Sequence, residues 1–166
     1  MSVKAIARGA IAAMLAAFVY AATAQPTAPP PTPYGPSINL ENAKKAAAAS
    51  IAEARKNNWT MAIAVTDIAG NLVYFEKIDG TQTASVNIAI GKSRSAAIFK
   101  RPTKAFMDDL AAGGYGLRIL ALEGAVPVEG GVPIVSEGKV IGGIGASGGS
   151  GQQDGAVAQA GANALK

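Results

Sequence analysis

Five cations fall within one short window: Lys92, Arg94, Lys100, Arg101 and Lys104. Clustered ammonium and guanidinium groups bind carboxylates, and a guanidinium does so through two parallel N–H donors. Lys92 and Arg101 are the two expected to hold a ligand. Lys92 lies one helical turn from Ile88 and Ser95, on a face less committed to solvent. Arg101 stands just before a helix start. Lys100 and Lys104 read as a solvated face, with Asp108 one helical turn beyond Lys104 and Asp109 next to it. Glu129 precedes Gly130 and Gly131. A carboxylate there orients a ligand or acts as a base at a pocket mouth, or serves as a turn residue paired with a nearby cation. The loop Ser147-Gly148-Gly149-Ser150-Gly151 then runs from an apolar strand toward a helix. That order turns backbone N–H groups toward an anion, or allows close packing on another backbone. No lysine follows the glycines, so the loop is not a P-loop. The chain ends before the acid expected of a dinucleotide site. The candidate ligand-binding residues are therefore Lys92, Arg101, Glu129, Gly130, Gly131, Ser147 and Gly148.

The chain has no histidine and no cysteine. Imidazole bases, thiolates, disulfides and most zinc sites are excluded, and no metal site is expected. No second catalytic group can be named, which leaves catalysis open. The formal net charge is +4; setting aside Lys4 and Arg8 leaves 13 basic against 11 acidic residues, or +2. Such a balance, with 5% aromatics, does not suit a nucleic-acid partner.

Lys4 and Arg8 precede an apolar run over residues 10–22, and Ala22-Thr23-Ala24 ends it. Residues 1–24 read as a secretory signal peptide, with an uncleaved anchor as the alternative. The run is short of the roughly 20 residues of a membrane span, so no stable span is expected after cleavage. A periplasmic or secreted protein follows. Six of the nine prolines lie in residues 26–36. Residues 25–37 are expected to be a stiff or disordered linker, and residues 38–166 one domain.

The candidate residues must be positioned by a simple alternation of elements. Asn39 is a plausible N-cap for a helix over residues 40–57, where Leu40, Ala43, Ala47, Ile51 and Ala54 share a face. Residues 61–67 and 72–78 read as a hairpin around Gly70 and Asn71, with Asp67 able to bond its own backbone. Helices are expected over residues 83–99 and 102–112, the second opened by Pro102. A short element near residues 116–124 is poorly specified. A second hairpin, 132–136 and 139–146, turns at Glu137-Gly138. A last helix over 152–165 places Asp154 at its cap or in its first turn. Hairpins imply antiparallel pairing, so the expected fold is α+β: a central antiparallel sheet with helices packed on it.

Several motifs, in this order and spacing, carry a resemblance. They are Ala64-Val65-Thr66-Asp67-Ile68-Ala69-Gly70-Asn71-Leu72, Phe99-Lys100-Arg101-Pro102-Thr103, Gly130-Gly131-Val132-Pro133-Ile134, and Ile141-Gly142-Gly143-Ile144-Gly145-Ala146-Ser147-Gly148 with Gln153-Asp154. The chain resembles the GlcG/HbpS-like haem-binding family, related to the C-terminal domain of PduO. The resemblance implies a fold like profilin, PAS and GAF domains, assembly into homo-oligomers, and haem as the ligand, bound or degraded. With no histidine or cysteine, iron would be met by Met61, Met107, Tyr74, Tyr115, a lysine or a hydroxyl, or by no axial ligand. The alternative is an accessory or sensory protein for a small organic acid, linked to oxidative metabolism. The Ala- and Gly-rich first and last helices also suit close approach to a second subunit.

Overall fold

The computed structural model describes residues 30–166. The signal-peptide expectation and the first prolines of the linker lie outside the described residues.

Asn39 accepts the Asn42 N–H at 2.9 Å and so opens α1 (Leu40–Lys56). The first hairpin follows as β1 (Ala62–Thr66) and β2 (Leu72–Lys77). Its turn is held by Asp67, whose carboxylate accepts the N–H groups of Ala69 and Asn71 at 2.9 and 2.8 Å while Gly70 takes φ 82°. Next come α2 (Ser85–Phe99), α3 (Thr103–Ala111) and a 3₁₀ helix (Gly114–Ala121) in the poorly specified region. The second hairpin is β3 (Gly131–Ser136) and β4 (Lys139–Ser147), and α4 (Gly151–Asn163) closes the chain. The strands form one antiparallel sheet in the order β2-β1-β4-β3. The α+β expectation holds.

Period-2 alternation assigns the two faces. Ile63 and Val65 of β1, with Ile144 and Ala146 of β4, face α1 and α4 and form the main core. Ala62, Ala64 and Thr66 face α2 instead; Thr66 Oγ1 lies 2.9 Å from Ser93 Oγ. The glycines of β4 explain how α2 fits. A Cβ on Gly143 or Gly145 would collide with the backbone oxygens of Ser93 or Ala89, so the helix lies directly on bare strand.

The small-residue faces of α1 and α4 meet each other. Ser50 Oγ donates to Val157 O at 2.8 Å, and a Cβ on Gly161 would meet Ser50 and Ala46. The buried alanines of α1, Ala43, Ala46, Ala47 and Ala54, lie on its core side, while Ala48 and Ala52 stay exposed. Exposed apolar side chains include Leu40, which leaves the expected apolar face at the start of α1, and Tyr115, Leu117 and Leu120 on the 3₁₀ helix.

The proline-rich segment is ordered earlier than its composition suggests. β1 pairs with residues 143–147 of β4 and stops, which leaves the start of β4 with a free edge. Residues 33–38 cover that edge: Val140 N–H donates to Pro33 O at 2.9 Å, Gly35 N–H to Val140 O at 2.9 Å, and Ile38 N–H to Ile141 O at 2.7 Å. Tyr34 then donates its hydroxyl to the Ile98 and Ala97 carbonyls, at 2.8 and 3.1 Å, satisfying the open end of α2. The linker expectation for residues 25–37 is corrected at this end, because an unpaired strand edge and uncapped carbonyls gain more from these bonds than the short segment loses in entropy.

Candidate functional site

The end of α2 sets the first cleft. Lys100 ends the helix in the left-handed region at φ 54°, a conformation that favours glycine. Its ammonium lies 4.9 Å from the Tyr34 ring centroid, which helps hold it there. The turn at Lys100 and the fixed φ of Pro102 leave Arg101 exposed between α2 and α3. Phe99 and Phe106 pack edge to face with centroids 5.1 Å apart. Arg101 stacks over Phe106 at 5.1 Å, and Arg118 over Tyr115 at 4.3 Å. These groups frame a cavity of about 300 Å³, walled by Phe99, Phe106, Ile119 and Leu122 and edged by both arginines. A second hollow of about 280 Å³ shares Asp109 and Arg118 with it and adds Tyr115. The ion pairs among the described residues are Lys56–Glu53, Lys92–Asp154 and Lys104–Asp108. Neither arginine of the cleft is in an ion pair, so both can offer N–H donors to an outside anion.

The second cleft is smaller, about 220 Å³, and includes Glu129, Gly130, Gly131, Lys104, Gly155 and Gln159. Buried Thr103 braces Gly131 in its floor: its hydroxyl donates to Val128 O at 2.7 Å and accepts the Gly131 N–H at 2.9 Å. The Glu129 side chain lies across the first turn of α4, beside Gly151 and Gly155, where the helix dipole favours a carboxylate. Lys104 does not close on it, because Asp108 holds the ammonium at 2.7 Å and pushes its pKa up. The turn reading of Glu129, paired with a nearby cation, finds no ion pair among the described residues.

Lys92 lies behind this floor and is 1% exposed. Its ammonium donates to Asp154 Oδ2 at 2.7 Å and to Ala146 O at 3.1 Å. A Cβ on Gly130 would fall 2.8 Å from that nitrogen, so glycine is what admits the pair. Burial pushes the Asp154 carboxyl up, and Lys92 with the Gly149 and Gly148 N–H groups offsets only part of this.

The glycine-rich loop does cradle an anion, and the anion is Asp154. Gly149 N–H donates to Asp154 Oδ1 at 3.0 Å, and Ser150 N–H to Gln153 Oε1 at 2.8 Å. Ser150 is the N-cap, in a capping box with Gln153, so Asp154 sits in the first turn. Ser147 is buried against Ser85, its hydroxyl donating to Ser85 Oγ at 3.2 Å, and Gly148 packs on the Thr60 carbonyl. Glu129, Gly130 and Gly131 are thus brought together; Arg101 lies in the other cleft; Lys92, Ser147 and Gly148 face the interior. Sequence reasoning missed Arg118, Phe99 and Phe106 as cleft residues. The spacing of Tyr115 and Arg118 was the available signal, since residues three apart eclipse in a 3₁₀ helix.

A family model described as haem degrading protein HbpS-like matches residues 38–163. Protein GlcG of Escherichia coli (strain K12) is 36% identical over 95 residues, which is 55% of this chain and 71% of that protein. HbpS of Streptomyces reticuli, solved as a double mutant, has a similar structure, with a TM-score of 0.73 and 30% identity over 86% of this chain and 98% of that one. PduOC, solved as a haem complex, is alike in fold at a TM-score of 0.70 and 23% identity, over 78% of this chain and 96% of that one.

Proposed function

From the premise that the chain belongs to the HbpS-like family, we propose that it binds haem in the cleft between α3 and the 3₁₀ helix. The observation that carries this reading is the pair of guanidiniums, in no ion pair among the described residues, at the edge of an aromatic-walled cavity. Haem is a flat apolar macrocycle with two anionic propionates. Phe99, Phe106, Ile119 and Leu122 suit the macrocycle, and Arg101 and Arg118 suit the propionates. At about 300 Å³ the cavity is at the small end for a ligand site, which favours binding at an open cleft. Bound haem would supply iron redox chemistry; the chain's own residues bind and orient it.

Titration of the mature chain with haemin tests the reading. A saturable Soret shift is expected, weakened by Arg101→Ala and Arg118→Ala; no shift at micromolar protein overturns it. Bleaching of the bound Soret band by peroxide or reductant distinguishes haem degradation from storage or transfer. A small dicarboxylate would use the same two guanidiniums but not the aromatic wall, so Phe106→Ala separates the two ligands.

The proposal includes export and assembly. The basic start, apolar run and small-residue end of residues 1–24 support secretion or delivery to the periplasm, which N-terminal sequencing of the fractionated protein checks. Leu117 and Leu120, exposed beside the cleft, support a homo-oligomer. Light scattering on the mature chain decides it, and a one-domain mass at tens of micromolar overturns it.

A further inference from the structure

We infer that the second cleft, between α3, β3 and α4, is a separate site for a small primary ammonium compound, with Glu129 as the carboxylate that receives it. This site is distinct from the cleft given to haem and does not depend on that reading. Missing side chains hold Glu129 in place. A Cβ on Gly155 would lie 2.8 Å from its Oε1, and one on Gly151 would lie 3.3 Å from its Cβ. Those two glycines stand four apart on α4 and so share a face of the helix. Their bare backbone leaves a slot, and the partly buried Glu129 side chain lies in it.

The carboxylate seated there has no counter-ion. Among the described residues it is in no ion pair, and its oxygens are not sealed from solvent. Lys104 is the one cation lining the cleft, and its ammonium is spent on both oxygens of Asp108 at 2.7 Å. Lys92, behind Gly130, is neutralised by Asp154. One ammonium against the carboxylates of Asp108 and Glu129 leaves a negative charge in excess. The first turn of α4 answers it with a partial charge only. Gln159 lines the same cleft; its amide nitrogen donates to Asn163 Oδ1 at 2.9 Å, which leaves its carbonyl oxygen to accept. The cleft thus presents two acceptors and no uncommitted charged side-chain donor. An ammonium group supplies what is missing, as a charge-assisted donor to Glu129. Pro102 and Val132 give apolar wall, and about 220 Å³ admits a short alkyl chain.

The test titrates the isotope-labelled mature chain with n-butylammonium, and separately with n-butyrate as an anion of the same size, while amide NMR follows Gly130, Gly131, Gly151 and Gly155. Saturable shifts at these glycines are expected with millimolar n-butylammonium and not with n-butyrate. Glu129→Gln keeps the size and removes the charge, and should weaken binding about tenfold. Gly155→Ala keeps the charge but fills the slot, and should weaken it as well; thermal melts check that both variants are folded. Unchanged binding in either folded variant, n-butyrate saturating the same amides, or no saturation by about 100 mM n-butylammonium in the wild type overturns the assignment. Haemin titration of Glu129→Gln should match the wild type. Loss of haemin binding in that variant alone would show one shared site and overturn the separation, whereas a wild type that binds n-butylammonium but no haemin supports this site and removes only the haem reading.

Discussion

Lys92→Met removes a charge and keeps a long unbranched chain in the same space. The partner left behind is Asp154, 4% exposed, with its carboxylate still accepting the Gly149 N–H. Breaking one side of a buried ion pair costs about 3–5 kcal/mol, because the remaining charge is neither solvated nor compensated. The residual N–H bond and the vacated room place the expectation at the low end, about 3 kcal/mol, or a fall in Tm of about 10 °C for a domain of this size. The effect depends on pH. Burial raises the folded pKa of Asp154, so its favourable contribution is complete only below the unfolded pKa and is lost as pH rises through the folded one. Losing Lys92 pushes the folded pKa further up. The destabilisation should therefore be smaller near pH 4 and grow toward about pH 7.5. Urea denaturation at both pH values, on Lys92→Met, Asp154→Ala and the double variant, measures it. The double variant should be at least about 2 kcal/mol more stable than the sum of the single losses predicts. A Lys92→Met protein within about 0.5 kcal/mol of wild type at neutral pH would refute the reasoning.

Three further outcomes are expected. Gly145→Ala drives a methyl into the Ala89 carbonyl and should cost at least about 1–3 kcal/mol in urea denaturation, with soluble yield as a second readout. Tyr34→Phe removes the donor at the end of α2 and should cost about 1 kcal/mol, with faster amide exchange at Gly35 and Ile38. Asp67→Ala should cost about 1 kcal/mol near neutrality, seen by thermal melts. Desolvation of Asp67 opposes the effect, but the Asn71 side chain and the turn N–H groups hold its pKa below the usual range. Its stabilisation is therefore present above the unfolded pKa and fades as pH falls through the lowered folded value, and the difference between wild type and Asp67→Ala should close there.

Local chemistry was legible wherever one short segment decides the outcome. Asn39 caps α1 because a side-chain oxygen reaches an N–H three residues on. Asp67 folds its own turn for the same reason, and hairpin spacing was enough for an antiparallel sheet. Charge and size were legible too, but not their destinations. Lys92 read as a carboxylate binder, and it is one; its carboxylate is Asp154, 62 residues away across the α2–β4 packing. The loop before α4 read as an anion cradle, and the anion came from within the chain. The alanines of α1 suited a close neighbour, which proved to be α4. Arg101 was visible beside Pro102, whereas Arg118 became its companion only when the 3₁₀ helix set it against Phe99 and Phe106. Helix and strand periods state which face a residue occupies. The side chain that meets that face is chosen by sheet order and by how closely two backbones approach, and those depend on every element at once.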